Sequence, residues 1–437
     1  MKYKDAKRSR RKDKKGEIKR PVEKDSKEKP SFLMCSDLPY LGTGFGEVSR
    51  NILRNIGDIY DCHQIAWQKF GETIVFEKWK LHAGGPDQYV HNYGSESIPW
   101  FLKTHPNTAA MMTLQDIHCF DYMKSKLPRG SRPPWIAYFP VDTHDFKKEW
   151  VDILRESEFP TTYSKFGHRL LRDKFKVDTH FVYHGIDTNV WRPLVNDLAD
   201  RSKIRRVLVM TNEHGEKIPL HDKFVVGMIG RLNPRKMLHI WLGIFAEFAK
   251  DKDDVIAYWH CDPQDPMASD GLGVLAQWIE SLGIQDKFCH TNGYKWWAPM
   301  PINILVLIAN MFDVHLYPTG GEGFGLTIAE TMACGVPNLV TDYTTGPEFL
   351  QDEKTGQLRG ELLKINKFVE MNGCKRPWVD INHAVERLNE LYYDENLRKE
   401  YGKRSVEFVR RELDLKTKIM PKYVKLINEA ISSGQEH

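Results

Sequence analysis

Two short segments of this 437-residue sequence hold the residue types and spacings that could do chemistry. The first is Gly230-Arg231-Leu232-Asn233-Pro234-Arg235-Lys236, directly after the apolar run 224–229. Asn233 suits a helix N-cap and Pro234 the first helical position, so a helix is expected to run on through Leu238, Trp241, Leu242, Phe245 and Phe248. Three cations then crowd a helix N-terminus, where the macrodipole disfavours each by about 0.3–1 kcal/mol. A bound anion reverses that sign, because helix N-termini and Arg/Lys both attract phosphate. The bland reading is three side chains splayed into water.

The second segment is Thr319-Gly320-Gly321-Glu322-Gly323-Phe324-Gly325-Leu326, between an apolar run at 314–317 and a helical pattern from Ile328 to Cys334. Glycines in this density let backbone N–H groups approach a ligand closely. Glu322 lies inside the loop, where a carboxylate has no obvious packing role. Glu330 lies in the helix that follows, where two readings stand. Thr327-x-x-Glu330 has the spacing of a capping box, or the carboxylate binds a ligand.

Such residues need elements to hold them. Runs at 32–35, 108–114, 135–139 and 181–183 read as strands separated by helical patterns, the first helix carrying Val48, Ile52, Leu53 and Ile56. A polar connector at 188–222 follows, in which 206–210 could form a strand. A second alternating block has strands at 224–229, 255–258, 314–317 and 338–340, and the tail from 383 is helical. Strand–helix alternation in two successive blocks predicts α/β architecture, with two Rossmann-like parallel sheets and a cleft outside the carboxyl ends of the strands.

Composition bounds the rest. The seven cysteines are scattered with no C-x-x-C pair, which reads as buried thiols rather than a disulfide framework or a zinc site. No apolar run approaches the roughly 20 residues of a membrane span, and the start of the chain is charged rather than apolar, so a cytoplasmic location, or a peripheral one at a membrane, is expected. Residues 1–30 carry 14 Lys/Arg against 6 Asp/Glu, leaving 49 against 53 for the remainder. A segment so poor in large apolar side chains is expected to be disordered. It reads as a solubilising tail, or as a polybasic arm for nucleic acid or an anionic membrane surface.

Taken together, the basic turn and Glu322-Gly323-Phe324-Gly325-Leu326-Thr327-Ile328-Ala329-Glu330-Thr331-Met332-Ala333-Cys334-Gly335-Val336-Pro337 resemble the retaining GT-B glycosyltransferases of family 4. In that family the second segment is the E-x7-E motif. Tyr163-Ser164-Lys165-Phe166-Gly167, His184-Gly185-Ile186-Asp187-Thr188 and Asp37 through Arg50 extend the resemblance to about 31–430. It implies a GT-B fold of two facing Rossmann-like domains. The expected divisions are a basic tail at 1–30, an N-terminal acceptor domain at 31–200, a C-terminal donor domain at 201–415, and a C-terminal helix at 416–437 that packs back on the N-terminal domain.

The resemblance implies roles residue by residue. Arg231 and Lys236 would bind a donor diphosphate, and Glu330 would bond the ribose hydroxyls. Glu322 would hold the transferred sugar and support its developing positive charge. Backbone N–H groups of Phe324, Gly325 and Leu326 would contact sugar and phosphate, and Gly44 would bring backbone close from the opposite domain. Three departures stand out. The first loop reads Gly44-Phe45-Gly46, not two adjacent glycines. Pro140 lies near the usual place of a His, whose polar role falls to Asp142, with Asp116 and His118 as rivals. The connector at 194–222 is longer than expected.

The activity implied is retaining, metal-independent sugar transfer from a nucleotide-diphosphate sugar, UDP- or GDP-linked, to a glycan, lipid-linked or protein-attached acceptor. No cofactor is expected. Alternatives are an acceptor that is nucleic acid docked through the tail, and a non-catalytic nucleotide-sugar binder. Gly42-Thr43-Gly44-Phe45-Gly46 lacks the spacing of a dinucleotide fingerprint. Tyr294, Trp296 and Trp297 read as packing more readily than as a base-stacking platform.

Overall fold

The computed structural model describes residues 28–85, 92–194, 198–207, 210–211, 217–218, 220–262, 271–291, 294–295, 298 and 300–435. Most of the basic tail and both Trp296 and Trp297 lie outside them.

Apolar runs too short for helices become the inner strands of two eight-stranded sheets. In the first sheet Ser31–Ser36 is central, pairing in parallel with Asp61–Ala66 on one side and Thr108–Leu114 on the other. Trp135–Phe139, Phe159–Thr162 and His180–Phe181 continue it outward. Trp79–Ala83 and the antiparallel edge strand Ile74–Phe76 close the other flank. The inner strands are buried on both faces, as a helix-covered parallel sheet requires.

The second sheet repeats this plan. Phe224–Ile229 is central, between Val255–His260 and Val314–Tyr317. Asn338–Thr341 and Glu361–Leu363 extend it on one side, and Phe288–His290 with two short antiparallel strands on the other. The stretch 206–210 is not one strand: helix Leu198–Val207 occupies part of it, and Met210–Thr211 pairs between His290 and the edge strand Lys217–Ile218. Part of the longer connector is thus that helix. The expected strand at 181–183 is also shorter, His180–Phe181.

Between Glu361–Leu363 and helix Ile381–Tyr393 the chain makes a separate two-stranded hairpin, Ile365–Met371 with Cys374–Val379. Helices Ile381–Tyr393 and Glu395–Phe408 follow. The chain then returns to the first sheet. Leu413 and Leu415 exchange backbone hydrogen bonds with Ile186 at 2.8 and 2.9 Å. Helix Met420–Gln435 lies against strand Thr108–Leu114 and helix Gly44–Ile56. Its Tyr423 and Asn428 bond the hydroxyls of Tyr138 and Tyr60 at 2.7 and 2.8 Å.

All seven cysteines are unpaired; six are buried and Cys119 is half-buried. Among the described residues, no helix is long and apolar enough to cross a membrane.

Candidate functional site

The basic turn differs from its expected form. Asn233 does cap it, its side chain accepting from the Arg235 N–H at 2.9 Å, and Pro234 does open it. The helix does not run on, however. Pro234–Lys236 is a single 3-10 turn, stopped by Met237 in the left-handed conformation at φ 53°, and helix Leu238–Phe248 starts afresh. Arg235 and Lys236 therefore leave the chain on a tight turn of their own, at the carboxyl end of the central strand.

The glycine loop lies directly opposite. The Gly320 N–H donates to the Arg235 carbonyl at 2.7 Å, so turn and loop are tied backbone to backbone. Lys236 Nζ meets Glu322 Oε1 at 2.7 Å and Arg235 Nη1 meets the same oxygen at 2.8 Å. Thr319 Oγ1 donates to it at 2.8 Å, and the Glu322 N–H donates to Thr344 Oγ1 at 3.0 Å. Lys236 also reaches the hydroxyl of Tyr317.

Burial by itself would raise the Glu322 carboxyl. Arg235 and Lys236 override it and hold Glu322 well below the usual carboxylate value. Burial pulls the Lys236 ammonium below its ordinary value, partly offset by Glu322. Glu322 is thus a fixed anion, and the two cations are pre-positioned within a few ångströms of it.

Arg231 is half-buried one step earlier in the chain, its carbonyl accepting from the Asn233 N–H at 2.9 Å. Of the two cations favoured from sequence, Lys236 bonds Glu322. The second there is Arg235, which the sequence showed as one of three basic residues and did not single out.

The capping-box reading of Thr327 and Glu330 fails. Helix Leu326–Ala333 is capped by Gly325 at φ 89°, a backbone conformation that side chains rarely adopt, and Thr327 is already its second residue. Glu330 is half-buried; burial first, and Glu47 second, push its carboxyl up to about 8. Glu47 belongs to helix Gly44–Ile56, whose cap Thr43 accepts from the Gly46 N–H. A Cβ built on Gly44 would stand 3.3 Å from the Leu326 side chain. The beginnings of two helices, one from each half, therefore face one another, and the first N–H groups of each lack intrahelical partners.

Across the cleft the loop presses on Pro140 and Asp142. A Cβ on Gly321 would lie 2.2 Å from the Asp142 carbonyl, and one on Gly323 2.8 Å from Pro140. Asp142 is half-buried between two arginines. Arg235 Nε is 3.5 Å from its carboxylate, and Arg376 Nη2 is 3.2 and 3.3 Å from the two oxygens. Arg376 Nη1 also donates to the Asp142 carbonyl at 2.6 Å. Arg376 comes from the hairpin, which the sequence reading did not anticipate. Asp116 sits nearby, its carboxyl raised by burial and by Asp142. His118 is exposed and stacks on Trp150, with ring centroids 5.5 Å apart.

Phe324 anchors the loop. Its ring is buried against His184, Phe349 and Tyr183, at 4.8, 5.1 and 5.9 Å between centroids. The metal-independent reading took the sequence to hold no Asp-x-Asp motif; that spacing does occur, at Asp251-Lys252-Asp253. Both carboxylates are exposed in the turn before strand Val255–His260, at the amino end of the sheet and away from the cleft. Among the described residues no group of three or more His, Cys, Asp or Glu could hold a metal ion.

With this geometry established, comparison with known proteins gives a consistent picture. Residues 210–407 match the family model described as "Glycosyl transferases group 1". The D-inositol 3-phosphate glycosyltransferase of Corynebacterium glutamicum is 29% identical over 40% of this chain and 38% of its own length. Spore coat protein SA of Bacillus subtilis is 22% identical over 57% and 55%. The chain thus spans about half or less of the length of these relatives. Sucrose-phosphate synthase from Thermosynechococcus elongatus superposes with a TM-score of 0.71 at 14% identity, covering 93% of this chain and all of the other. Alr3699/HepE of Anabaena, solved in complex with UDP, gives 0.64 at 16% identity over 92% and 100%. Two Rossmann-like α/β units meeting at a cleft, shared with these structures over nearly the whole chain, make this a GT-B fold.

Proposed function

We propose that the protein is a glycosyltransferase that moves a sugar from a nucleotide-diphosphate sugar to an acceptor hydroxyl, with retention of configuration and without a metal ion. The observation that carries this is the convergence of Arg235 and Lys236 on Glu322, inside a glycine loop that opens helix Leu326–Ala333. Leaving-group departure puts negative charge on the diphosphate and oxocarbenium character on the sugar. Cations and unpaired helical N–H groups meet the first need, and an ionised carboxylate meets the second.

In this reading Lys236 and Arg231 bind the diphosphate, with backbone N–H groups of Phe324, Gly325 and Leu326 beside it and Gly44 closing from the other side. Arg235 joins them by holding Glu322 ionised. Glu330 bonds the ribose hydroxyls; a carboxyl raised by burial and a neighbouring carboxylate gains from two hydroxyl donors. Glu322 faces the transferred sugar. Asp142 orders Arg235 and Arg376 at the sugar end of the cleft, instead of standing as a lone acid. Residues 31–200 supply the acceptor side and 201–415 the donor side, the helix beyond 416 belonging with the first. UDP- and GDP-sugars are the favoured donors. The named glycosyltransferase relative and the UDP-bound structural relative support this class of activity.

The test is a thermal-shift screen of UDP, GDP, ADP and their sugars, followed by donor hydrolysis with whichever stabilises the protein. One nucleotide series should raise the melting temperature saturably. Glu322→Ala should lower turnover by about 100-fold or more, in line with removal of one preorganised electrostatic group. No shift with any nucleotide sinks the reading. A shift with no turnover in the wild type makes the protein a binder only.

A further inference from the structure

At the amino end of the second sheet, opposite the cleft, a cavity of about 430 Å³ opens between helix Glu395–Phe408 and the far end of helix Leu326–Ala333. Its lining includes Asp313, with Arg201 and Arg398 at the floor and Lys403, Arg410 and the exposed Glu407 at the rim. Pro193, where the chain leaves the first half, forms part of its wall, and Arg410 lies where the chain turns back.

The floor holds too much positive charge. Arg201 and Arg398 are only 8% and 9% exposed, and Arg205, 6% exposed, lies beside them. The carboxylate shared by these three guanidinium groups is that of Asp313. Its Oδ2 accepts from Arg205 Nη2 at 2.6 Å and from the Val225 N–H at 2.7 Å, and its Oδ1 stands 4.0 Å from Arg201 Nη1, beyond hydrogen-bond reach. Among the described residues, the buried Arg201 Nη1 and Arg398 Nε have no hydrogen-bond partner. Burial lowers the proton affinity of Arg201; Asp313 offsets part of this, and the charges of Arg205 and Arg398 lower it further. Buried guanidinium N–H groups left unpaired are costly, and an anion with several acceptor oxygens removes that cost. The volume falls within the range of small-ligand pockets, about 300–1,000 Å³.

We propose that this cavity binds a small phosphorylated anion, with Arg201 Nη1 and Arg398 Nε donating to its oxygens and Lys403 and Arg410 closing over it. The site is separate from the donor cleft and does not depend on the reaction assigned there. Its occupant touches both connections between the halves and the end of the helix that carries Glu330.

The experiment is calorimetric titration of the full chain in 0.15 M salt with inorganic phosphate, pyrophosphate and glucose 6-phosphate. One saturable site per chain is expected for phosphate and glucose 6-phosphate, and for pyrophosphate one that persists in Lys236→Ala beside any occupancy of the donor cleft. Arg201→Met should weaken binding at least tenfold. Because a buried arginine can be needed for folding, the exposed pair Lys403→Glu with Arg410→Glu is measured beside it and should weaken binding to the same degree. Lys236→Ala, in the donor cleft, should leave it unchanged. Tighter binding of the sugar phosphate identifies an ester as the occupant; equal affinities identify phosphate itself, and either supports the site. The proposal is overturned if none of the three anions binds saturably. It is equally overturned if binding survives the Lys403/Arg410 pair and disappears in Lys236→Ala, since the anions then occupy the donor cleft.

Discussion

Glu330 shows how one carboxyl can be costly to the fold and useful to a ligand. Its proton affinity is raised to about 8 from an ordinary 4.5, by burial and by Glu47. A raised carboxyl stabilises the folded state fully below the unfolded value and loses that contribution as pH climbs toward the folded one. Glu330→Gln should therefore match the wild type in stability below pH 4.5, gain on it between 4.5 and 8, and keep a constant lead above 8. Allowing for partial exposure, that lead is about 3 kcal/mol. The same variant should bind the nucleotide more weakly at every pH. Melting curves at pH 4.5, 7 and 9 with and without nucleotide check both; a flat difference across pH sinks the first. The sequence displayed Glu322 and Glu330 openly, because their spacing along one loop and one helix is local. It could not display which of Arg231, Arg235 and Lys236 meets Glu322. That choice is made by the left-handed Met237, a conformation no pattern of apolar residues announces.

At the level of elements, the central strands of both halves followed from apolar runs; Asp61–Ala66, Trp79–Ala83, Phe159–Thr162, Phe288–His290, Glu361–Leu363 and the hairpin did not. The hairpin's signal was nonetheless present. Asn372-Gly373 adopts positive φ at both positions, 53° and 69°, as the tightest hairpin turn demands. The flanks went unread because their outward face is polar and only lightly buried. The hairpin matters because it brings Arg376 to Asp142. Arg376→Ala should lower kcat/KM for transfer by about tenfold, the loss of one charge-assisted contact. Its melting temperature should change little, and Arg376→Lys should recover part of the rate. Unchanged kinetics in Arg376→Ala would leave the hairpin without a part in the reaction. The failed reading of a continuous basic helix has a similar cause: Asn233 and Pro234 gave a correct start, and nothing local marked the stop three residues later.

The whole molecule is stitched by a chain that crosses twice between its sheets. The last helix completes a layer begun about 370 residues earlier: Tyr423, Leu426 and Ile427 are buried on it, and the Tyr138 and Tyr423 hydroxyls meet at 2.7 Å. Tyr423→Ala should cost about 3–5 kcal/mol, by cavity formation and the loss of that bond. It should lower the melting temperature by several degrees even though the cleft is untouched; an unaltered transition would show that the helix is dispensable. Such long-range pairing was readable from sequence only through the resemblance, since helix Met420–Gln435 by itself is an ordinary amphipathic segment with no stated destination.

The bond from Gly320 N–H to the Arg235 carbonyl, and the Met237 side chain 2.9 Å from where a Cβ on Gly320 would stand, have a consequence for variation. Segments some eighty positions apart behave as one interlocking part. A methyl group added at 320 meets the end of the Met237 side chain, which can swing aside, and then the Arg235 carbonyl at 3.1 Å, which the bond from Gly320 holds close. A residue at 237 that refuses the left-handed bend swings both cations off their target. Natural variants should therefore keep a small residue at 320, whatever side chain stands at 237, and a residue tolerant of the left-handed bend at 237.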